Sequence, residues 1–246
     1  MSSVVRWGIL GPGTIARAFA AGLEQAPNAR LLAIGSRDPE RAGLAEAFPG
    51  VRRHDGYAAL LADPEIDAVY IATPHPQHAE WAIKAAEAGK HVLCEKPIGL
   101  TTFEADAMFY AARKAGTFMG EAFMYRLHPQ TQRLIELLRS GRIGTVRLVK
   151  ASFGFASAGG SVLDVGGYVA SLARLVAGVA SGGTVAEPDR VAALAHLGET
   201  GVDEIASAIL HFPAGLVAEL SCSIVQQQDN VARIYGSEGR IEVESP

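Results

Sequence analysis

The stretch VVRWGILGPGTIARAFAAGLEQAPNARLLAIGS, residues 4–36, decides the fold. VVRWGIL is a nearly continuous apolar run, the composition of a strand covered on both faces of a parallel sheet. Gly11-Pro12-Gly13 interrupts it, TIARAFAAGLEQA then repeats apolar residues at helical spacing, and RLLAIGS is a second apolar run. Gly11 to Ser36 thus spans one mononucleotide-binding half-unit, and its turn reads GxGxxA over Gly11, Pro12, Gly13, Thr14, Ile15 and Ala16. Glycine there permits a tight bend and lets backbone approach a pyrophosphate. The helix that starts at Thr14 and Ile15 presents free N–H groups and a partial positive charge to the same anion. Glycine-rich turns join many strands to helices, so the placement in a first βαβ unit is what points to a dinucleotide.

The same alternation continues to about Thr117, with a helix over 39–47, a strand over 67–72 (DAVYIA), a helix over 76–88 ending at Gly89 and a strand over 91–94 (HVLC). Thr101 and Glu104 have capping-box spacing ahead of a helix that stops near Gly116. After Glu121 the pattern changes. TVRLVKASFGF, RVAALAHL, DEIASAILHF and GLVAELSCSIV are strand-like runs, with helices over 129–139 and 161–178. The sequence therefore predicts an α/β chain: an N-terminal Rossmann domain with a doubly wound parallel sheet, residues 1–121, then an α+β domain, residues 122–246, on an open, largely antiparallel sheet. The later helices are too few to cover both faces of that second sheet, which points to a homo-oligomer joined through the bare face.

A chain of 246 residues that is 49% hydrophobic can bury the cores of two modest domains. Its formal net charge is -4 and it has no basic run, so the footprint of a nucleic-acid binder is missing. No uncharged apolar run reaches the roughly 18 residues of a membrane span, so no membrane partner is expected. Gly11-Pro12-Gly13 and Arg17 break the N-terminal segment that imitates a signal peptide. The two cysteines, Cys94 and Cys222, lack metal-ligand spacing and suit a reducing, cytoplasmic setting with no metal site.

The end of the second strand discriminates between cofactors, because an acid there bonds the adenosine ribose and a base accommodates a 2′-phosphate. Here it is Ser36-Arg37, a hydroxyl beside a guanidinium, which favours NADP over NAD. Asp38 leaves two readings open: it pairs with Arg37, or it caps the helix near Pro39. Arg37 as a plain surface charge is the other alternative. Residues at the carboxyl ends of parallel strands face the cofactor crevice, which places Thr73, Pro74, His75, Glu95 and Lys96 at its rim. His75 and His78 line the nicotinamide side, or His78 is a surface residue at a helix N-terminus. Cys94 reads as buried strand. A lysine beside a cationic ring in a partly buried setting can relay a proton, which is the functional reading of Lys96 against that of a surface lysine. Asp164 and Tyr168, four apart, share one face of an α-helix. Gly166 and Gly167 between them cost up to ~1 kcal/mol apiece relative to alanine, which suggests that something approaches closely there. Tyr168 can instead pack in a core with its hydroxyl satisfied. Arg126 in MYRLHP can hold a substrate hydroxyl, or a carboxylate elsewhere in the protein.

IATPHPQHAEWAIKAAEAGKHVLCEKP, residues 71–97, resembles the Gfo/Idh/MocA oxidoreductase family, with Glu95-Lys96-Pro97 directly after a strand as in that family's signature. GEAFMYRLHP, residues 120–129, looks like its interdomain segment, and GGSVLDVGGY, residues 159–168, like its second catalytic stretch. The resemblance implies hydride transfer between NADP and the carbinol carbon of a polyhydroxylated small molecule: a sugar, a cyclitol or a dihydrodiol. Lys96 and Tyr168 would manage the hydroxyl proton, Asp164 would tune their charge, and Arg126 and Tyr168 would touch the substrate. Many family members have histidine where this chain has Tyr168, though the dihydrodiol dehydrogenase branch is similar in using tyrosine. Since a fold alone does not settle function, a non-catalytic NADP-binding regulator is the rival reading. The sequence departs from the family between Phe155 and Gly159, where relatives have a longer excursion. It also departs at 241–246, which reads as a strand still in progress, so a reduced domain or a fragment is expected.

Overall fold

The computed structural model describes residues 4–40, 43–157 and 159–244. The chain divides into two compact units, Met1–Ala122 and Phe123–Pro246. In the first, the apolar runs become the parallel strands β1 (Val5–Leu10), β2 (Ala29–Ser36), β4 (Ala68–Ile71) and β5 (His91–Cys94), joined by two short strands, β3 (Arg52–Asp55) and β6 (Met119–Glu121). The strand order β3-β2-β1-β4-β5-β6 is the doubly wound arrangement expected from residues 4–36. It puts the reversal of strand order between β1 and β4. The helices between the strands are α1 (Thr14–Glu24), α2 (Leu44–Ala47), α3 (Tyr57–Leu61), α4 (His78–Glu87) and α5 (Thr102–Ala115). On one side of the sheet Leu10, Val69, Ile71 and Val92 pack with Ala82, Ala85 and Met108 of α4 and α5. Ile9, Ile34 and Tyr70 pack with Ala16 and Phe19 of α1 on the other.

Local chemistry sets the boundaries. Thr101 caps α5 by accepting a hydrogen bond from the Glu104 amide at 3.2 Å, while the Glu104 carboxylate accepts from the Leu100 amide at 2.7 Å. The helix expected over 39–47 contracts to the single turn of α2, because Gly43 at its start has φ +77°, outside the helical region. Residues 41 and 42 of that expectation lie outside the described residues. The expected helix over 76–88 opens with a 3₁₀ turn, His75–Gln77, before α4. Sequence reading misses β3 because RRHD is polar; it pairs at the sheet edge with β2, Ala33 opposite Arg52.

In the second unit a 3₁₀ turn (Met124–Leu127) leads into α6 (Pro129–Arg139), followed by β7 (Val146–Gly154) and α7 (Gly167–Ala180). Strands β8 (Arg190–Leu197), β9 (Asp203–His211), β10 (Val217–Ser223), β11 (Val231–Gly236) and β12 (Arg240–Glu244) complete it. The sheet order is β12-β11-β7-β10-β9-β8, antiparallel except where β7 and β10 run parallel. Ser245 and Pro246, part of the strand expected over 241–246, lie outside the described residues. One face carries Val149, Ala151, Ala218, Leu220, Ala232 and Ile234, buried against Leu134 and Leu138 of α6 and Leu172 and Val176 of α7. The other face, with Lys150, Ser152, Ser207, Ile209, Ser221, Arg233 and Leu194, bounds an open depression of about 690 Å³. Val162–Ala180 has the length and apolar composition of a membrane span, but 61% of it is buried, chiefly in the core formed with this sheet.

The helix expected over 161–178 begins differently from an α-helix: residues Val162–Gly166 form a π turn, so the α spacing assumed between Asp164 and Tyr168 does not hold through it. Asp203 of β9 starts this segment by accepting from Ser161 Oγ and the Val162 amide, each at 2.7 Å. The close approach expected at Gly166 is to β10, since a Cβ there would lie 3.0 Å from Cys222 Sγ.

Candidate functional site

The first unit carries its candidate residues at the carboxyl end of the sheet, around the reversal between β1 and β4. Gly11 ends β1 with φ +93°, and a Cβ on it would stand 2.8 Å from the Ala72 carbonyl oxygen. Only glycine lets the β1 and β4 ends close on each other there. Gly13 differs: its φ is -80°, and nothing lies within 4 Å of where its Cβ would be. Among the described residues, the space beside Gly13 at the start of α1 is therefore clear. No side chain caps that helix and its first turn holds no acid, so the leading N–H groups at Thr14 and Ile15 face outward with their partial positive charge intact. A pyrophosphate fits this geometry.

At the end of β2, Ser36 is 4% exposed and its hydroxyl closes a turn, donating to the Asp38 carbonyl at 2.8 Å and accepting from the Asp38 amide at 3.1 Å. Ser36 thus shapes the loop rather than offering a spare donor, and Asp38 contributes its backbone. Arg37 is exposed and has no hydrogen-bond or ion-pair partner among the described residues, which leaves its guanidinium available to an anion.

At the end of β4, Thr73 is 6% exposed, and its hydroxyl is buried without a hydrogen-bond partner. Pro74 is exposed and His75 half-buried. His78 is placed differently from either expectation. It is fully buried, with Nδ1 2.8 Å from the Pro97 carbonyl oxygen and Nε2 2.9 Å from that of Thr73, so its ring serves backbone and lines no open surface. After β5, Glu95 is 7% exposed and turned inward: Oε1 accepts a short hydrogen bond from the Tyr70 hydroxyl, and Oε2 accepts from the Lys96 amide at 3.3 Å. Tyr70 in turn stacks on Phe19 of α1, ring centroids 3.9 Å apart. Glu121 at the end of β6 accepts from the Ile98 amide at 2.8 Å. Lys96 is half-buried on the turn these contacts hold. Burial pushes the neighbouring Cys94 thiol well above its ordinary range, which removes it as a nucleophile.

In the second unit, Tyr168 on the first turn of α7 has Phe123 and Phe153 edge-on at 5.3 Å and Tyr125 at 6.2 Å, with its hydroxyl 3.6 Å from Met124 Sδ. Asp164 Oδ2 accepts from Ser157 Oγ at 2.9 Å. Arg126 is committed to α7: Nη2 donates to Ser171 Oγ at 2.8 Å, the same oxygen that receives the Tyr125 hydroxyl at 2.8 Å. Its partner is a serine rather than the carboxylate that was one alternative. Among the described residues no three His, Cys, Asp or Glu side chains come together as metal ligands. Tyr70 and Glu121 escape sequence reading. The hydroxyl inside the apolar run DAVYIA was the available signal for Tyr70, since a buried tyrosine needs a partner for it.

Residues 5–123 match the oxidoreductase family GFO/IDH/MocA, described as having an NAD-binding Rossmann fold, and residues 131–242 match the C-terminal domain of the same family. The trans-1,2-dihydrobenzene-1,2-diol dehydrogenase of Mus musculus is 34% identical over 254 residues, covering 98% of this chain and 74% of its own. A D-xylose 1-dehydrogenase (NADP(+)) of Haloferax volcanii is 38% identical over 251 residues, covering 96% and 74%. Among solved structures, a 3-ketoreductase from Actinomadura kijaniata in complex with NADP and TDP-benzene superposes with TM-score 0.88 at 34% identity, over 99% of this chain and 76% of that one.

Proposed function

Because the chain belongs to the GFO/IDH/MocA oxidoreductase family, we propose that it is an NADP-dependent dehydrogenase acting on a hydroxyl-bearing carbon of a sugar, cyclitol or dihydrodiol. The observation that carries the cofactor half is the uncapped N-terminus of α1, standing clear behind Gly13 at the reversal of strand order. Gly11, Gly13, Thr14 and Ile15 would receive the pyrophosphate, and Arg37 the 2′-phosphate that separates NADP from NAD. Thr73 and His75 would border the nicotinamide end. When bound, the cofactor supplies or accepts the hydride.

The chain's own residues handle the proton. Lys96 gives a proton to, or takes one from, the substrate hydroxyl at its Nζ, and the Tyr168 hydroxyl shares that task. The aromatic rings around Tyr168 hold its phenol in one orientation. The Tyr70–Glu95 pair keeps the acid of the Glu95-Lys96-Pro97 turn inside. Reduction of NADP, followed by absorbance over a panel of aldoses, cyclitols and trans-dihydrodiols, tests the reading. Turnover with at least one class supports it, while tight NADPH binding with no turnover on any class favours the non-catalytic regulator.

The same reading includes self-association. On the open face of the second sheet Leu194 is 85% exposed and Ile209 54%, a bare apolar surface of the kind that a second copy covers. Both cysteines are buried and unpaired, in keeping with a reducing, cytoplasmic setting.

A further inference from the structure

His78 sits where α4 begins, fully buried, with a backbone carbonyl oxygen on each ring nitrogen. A buried histidine is satisfied by one donor and one acceptor contact. This one faces two acceptors, Thr73 after β4 and Pro97 after β5, and those strands are neighbours in the sheet. A ring bearing one proton donates to one of the two oxygens, and a ring bearing both protons donates to both. The two oxygens have different roles. Thr73 belongs to the segment packed on the Gly11 turn, where its amide is 3.2 Å from a Cβ built on Gly11. The Pro97 carbonyl directly follows Lys96. Two further contacts hold the backbone beside the lysine, the Glu95 carboxylate on the Lys96 amide and the Glu121 carboxylate on the Ile98 amide. Both come from the β5 and β6 side of the sheet. His78 alone of these three reaches across to the rim that meets the glycine turn.

We propose that His78 is a positioning residue for Lys96: its imidazole straps the lysine-bearing turn to the Thr73 rim and thereby sets the lysine relative to the cofactor's glycine turn. This rests on the role given to Lys96 above. Glutamine cannot replace the strap, because both its N–H groups are on one nitrogen and its other polar atom is an acceptor.

The test uses the full-length protein in three forms, wild type, His78→Gln and His78→Ala, with NADPH and the best substrate of the polyol panel. In protein labelled with ¹³C at lysine Cε, the Lys96 signal is identified among the five lysines by its loss in Lys96→Met. The strap predicts that this signal moves in both His78 variants without cofactor, while those of Lys84, Lys114 and Lys150 stay in place. It also predicts that kcat falls about tenfold in His78→Gln and further in His78→Ala, with KM changed less than threefold. A Lys96 signal that stays put in either folded variant, or a kcat within twofold of wild type in both, overturns the proposal. Wild-type protein supplies a measurement that needs no variant to fold: the long-range ¹H–¹⁵N spectrum of the His78 ring shows a proton on each nitrogen if both bonds are made, and a bare acceptor nitrogen there refutes the two-carbonyl strap. If Lys96→Met retains full turnover, the role of Lys96 is wrong, and the lysine signal and ring spectrum still decide the strap.

Discussion

Gly11 and Gly13 occupy one motif, yet the structure gives them opposite tasks, and alanine at each position separates the two. In Gly11→Ala the new methyl stands 2.8 Å from the Ala72 carbonyl oxygen on a backbone with φ +93°. Holding an L-residue in that left-handed region costs roughly 1–2 kcal/mol. Pushing the β1 and β4 ends apart to admit the methyl costs roughly 1–3 kcal/mol more. Together these give about 2–5 kcal/mol, a large part of the ~5–15 kcal/mol stability of a typical domain. In Gly13→Ala the backbone already has φ -80° and ψ -175°, and the methyl meets nothing within 4 Å. Stability should stay level or rise by up to ~1 kcal/mol through the unfolded chain. Gly13 is the residue that leads into α1, however, where a pyrophosphate must come close to backbone, so the added methyl should lower NADPH affinity at least tenfold, or ~1.4 kcal/mol. Urea unfolding of the cofactor-free protein and fluorescence titration with NADPH read the two effects. A Gly11→Ala protein as stable as wild type, or a Gly13→Ala protein that binds NADPH normally, would refute the reasoning.

Arg37→Ala should erase most of the preference for NADP while leaving NAD affinity within about twofold, as read by titration with both cofactors; equal wild-type affinities would sink it. At low pH, Asp67 provides a local signature: its carboxyl is held at about 2, chiefly by the hydrogen bond from the Arg6 guanidinium, against an ordinary value of 3.8. A depressed carboxyl stabilises the fold above the ordinary value, and that contribution disappears as pH falls from near 4 through about 2. With both partners partly exposed it amounts to roughly 1 kcal/mol after solvent screening, and Asp67→Asn should abolish it in urea midpoints measured from pH 6 to pH 2. On the open sheet face, Ile209→Asp should shift the mass seen by light scattering at micromolar concentration toward that of a single chain, with the unfolding midpoint of the single-chain form little changed.

How much of this was legible in the sequence follows from which interactions are local. The apolar runs of β1, β2, β4 and β5 and the Thr101–Glu104 cap depend on neighbours a few residues away, so residues 4–36 and 67–116 read directly. The edge strand β3 did not, because RRHD has no apolar alternation and exists through its pairing with β2. The π turn at Val162–Gly166 was equally hidden, being set by Asp203 and Cys222, 41 residues or more downstream. In the candidate site the glycines and the Glu95-Lys96-Pro97 turn stood out by type and placement. What holds that turn was illegible: Tyr70 lies 25 residues before the acid it bonds, and His78 lies 19 before the Pro97 carbonyl. Ser36 and Arg126 were read as ligand-facing because their residue types suit ligands. Their nearest partners, the Asp38 backbone and Ser171, are protein groups that residue type alone does not reveal.

The central claim is that Lys96 moves the proton of an NADP-linked dehydrogenation. Its most direct test is the steady-state turnover of Lys96→Met beside its NADPH affinity, on the substrate class that wild type oxidises. General acid–base groups contribute about 10²–10⁴-fold, so turnover should drop at least a hundredfold while the Kd for NADPH stays within about twofold. Wild-type turnover in Lys96→Met, with the cofactor still bound, would contradict the account.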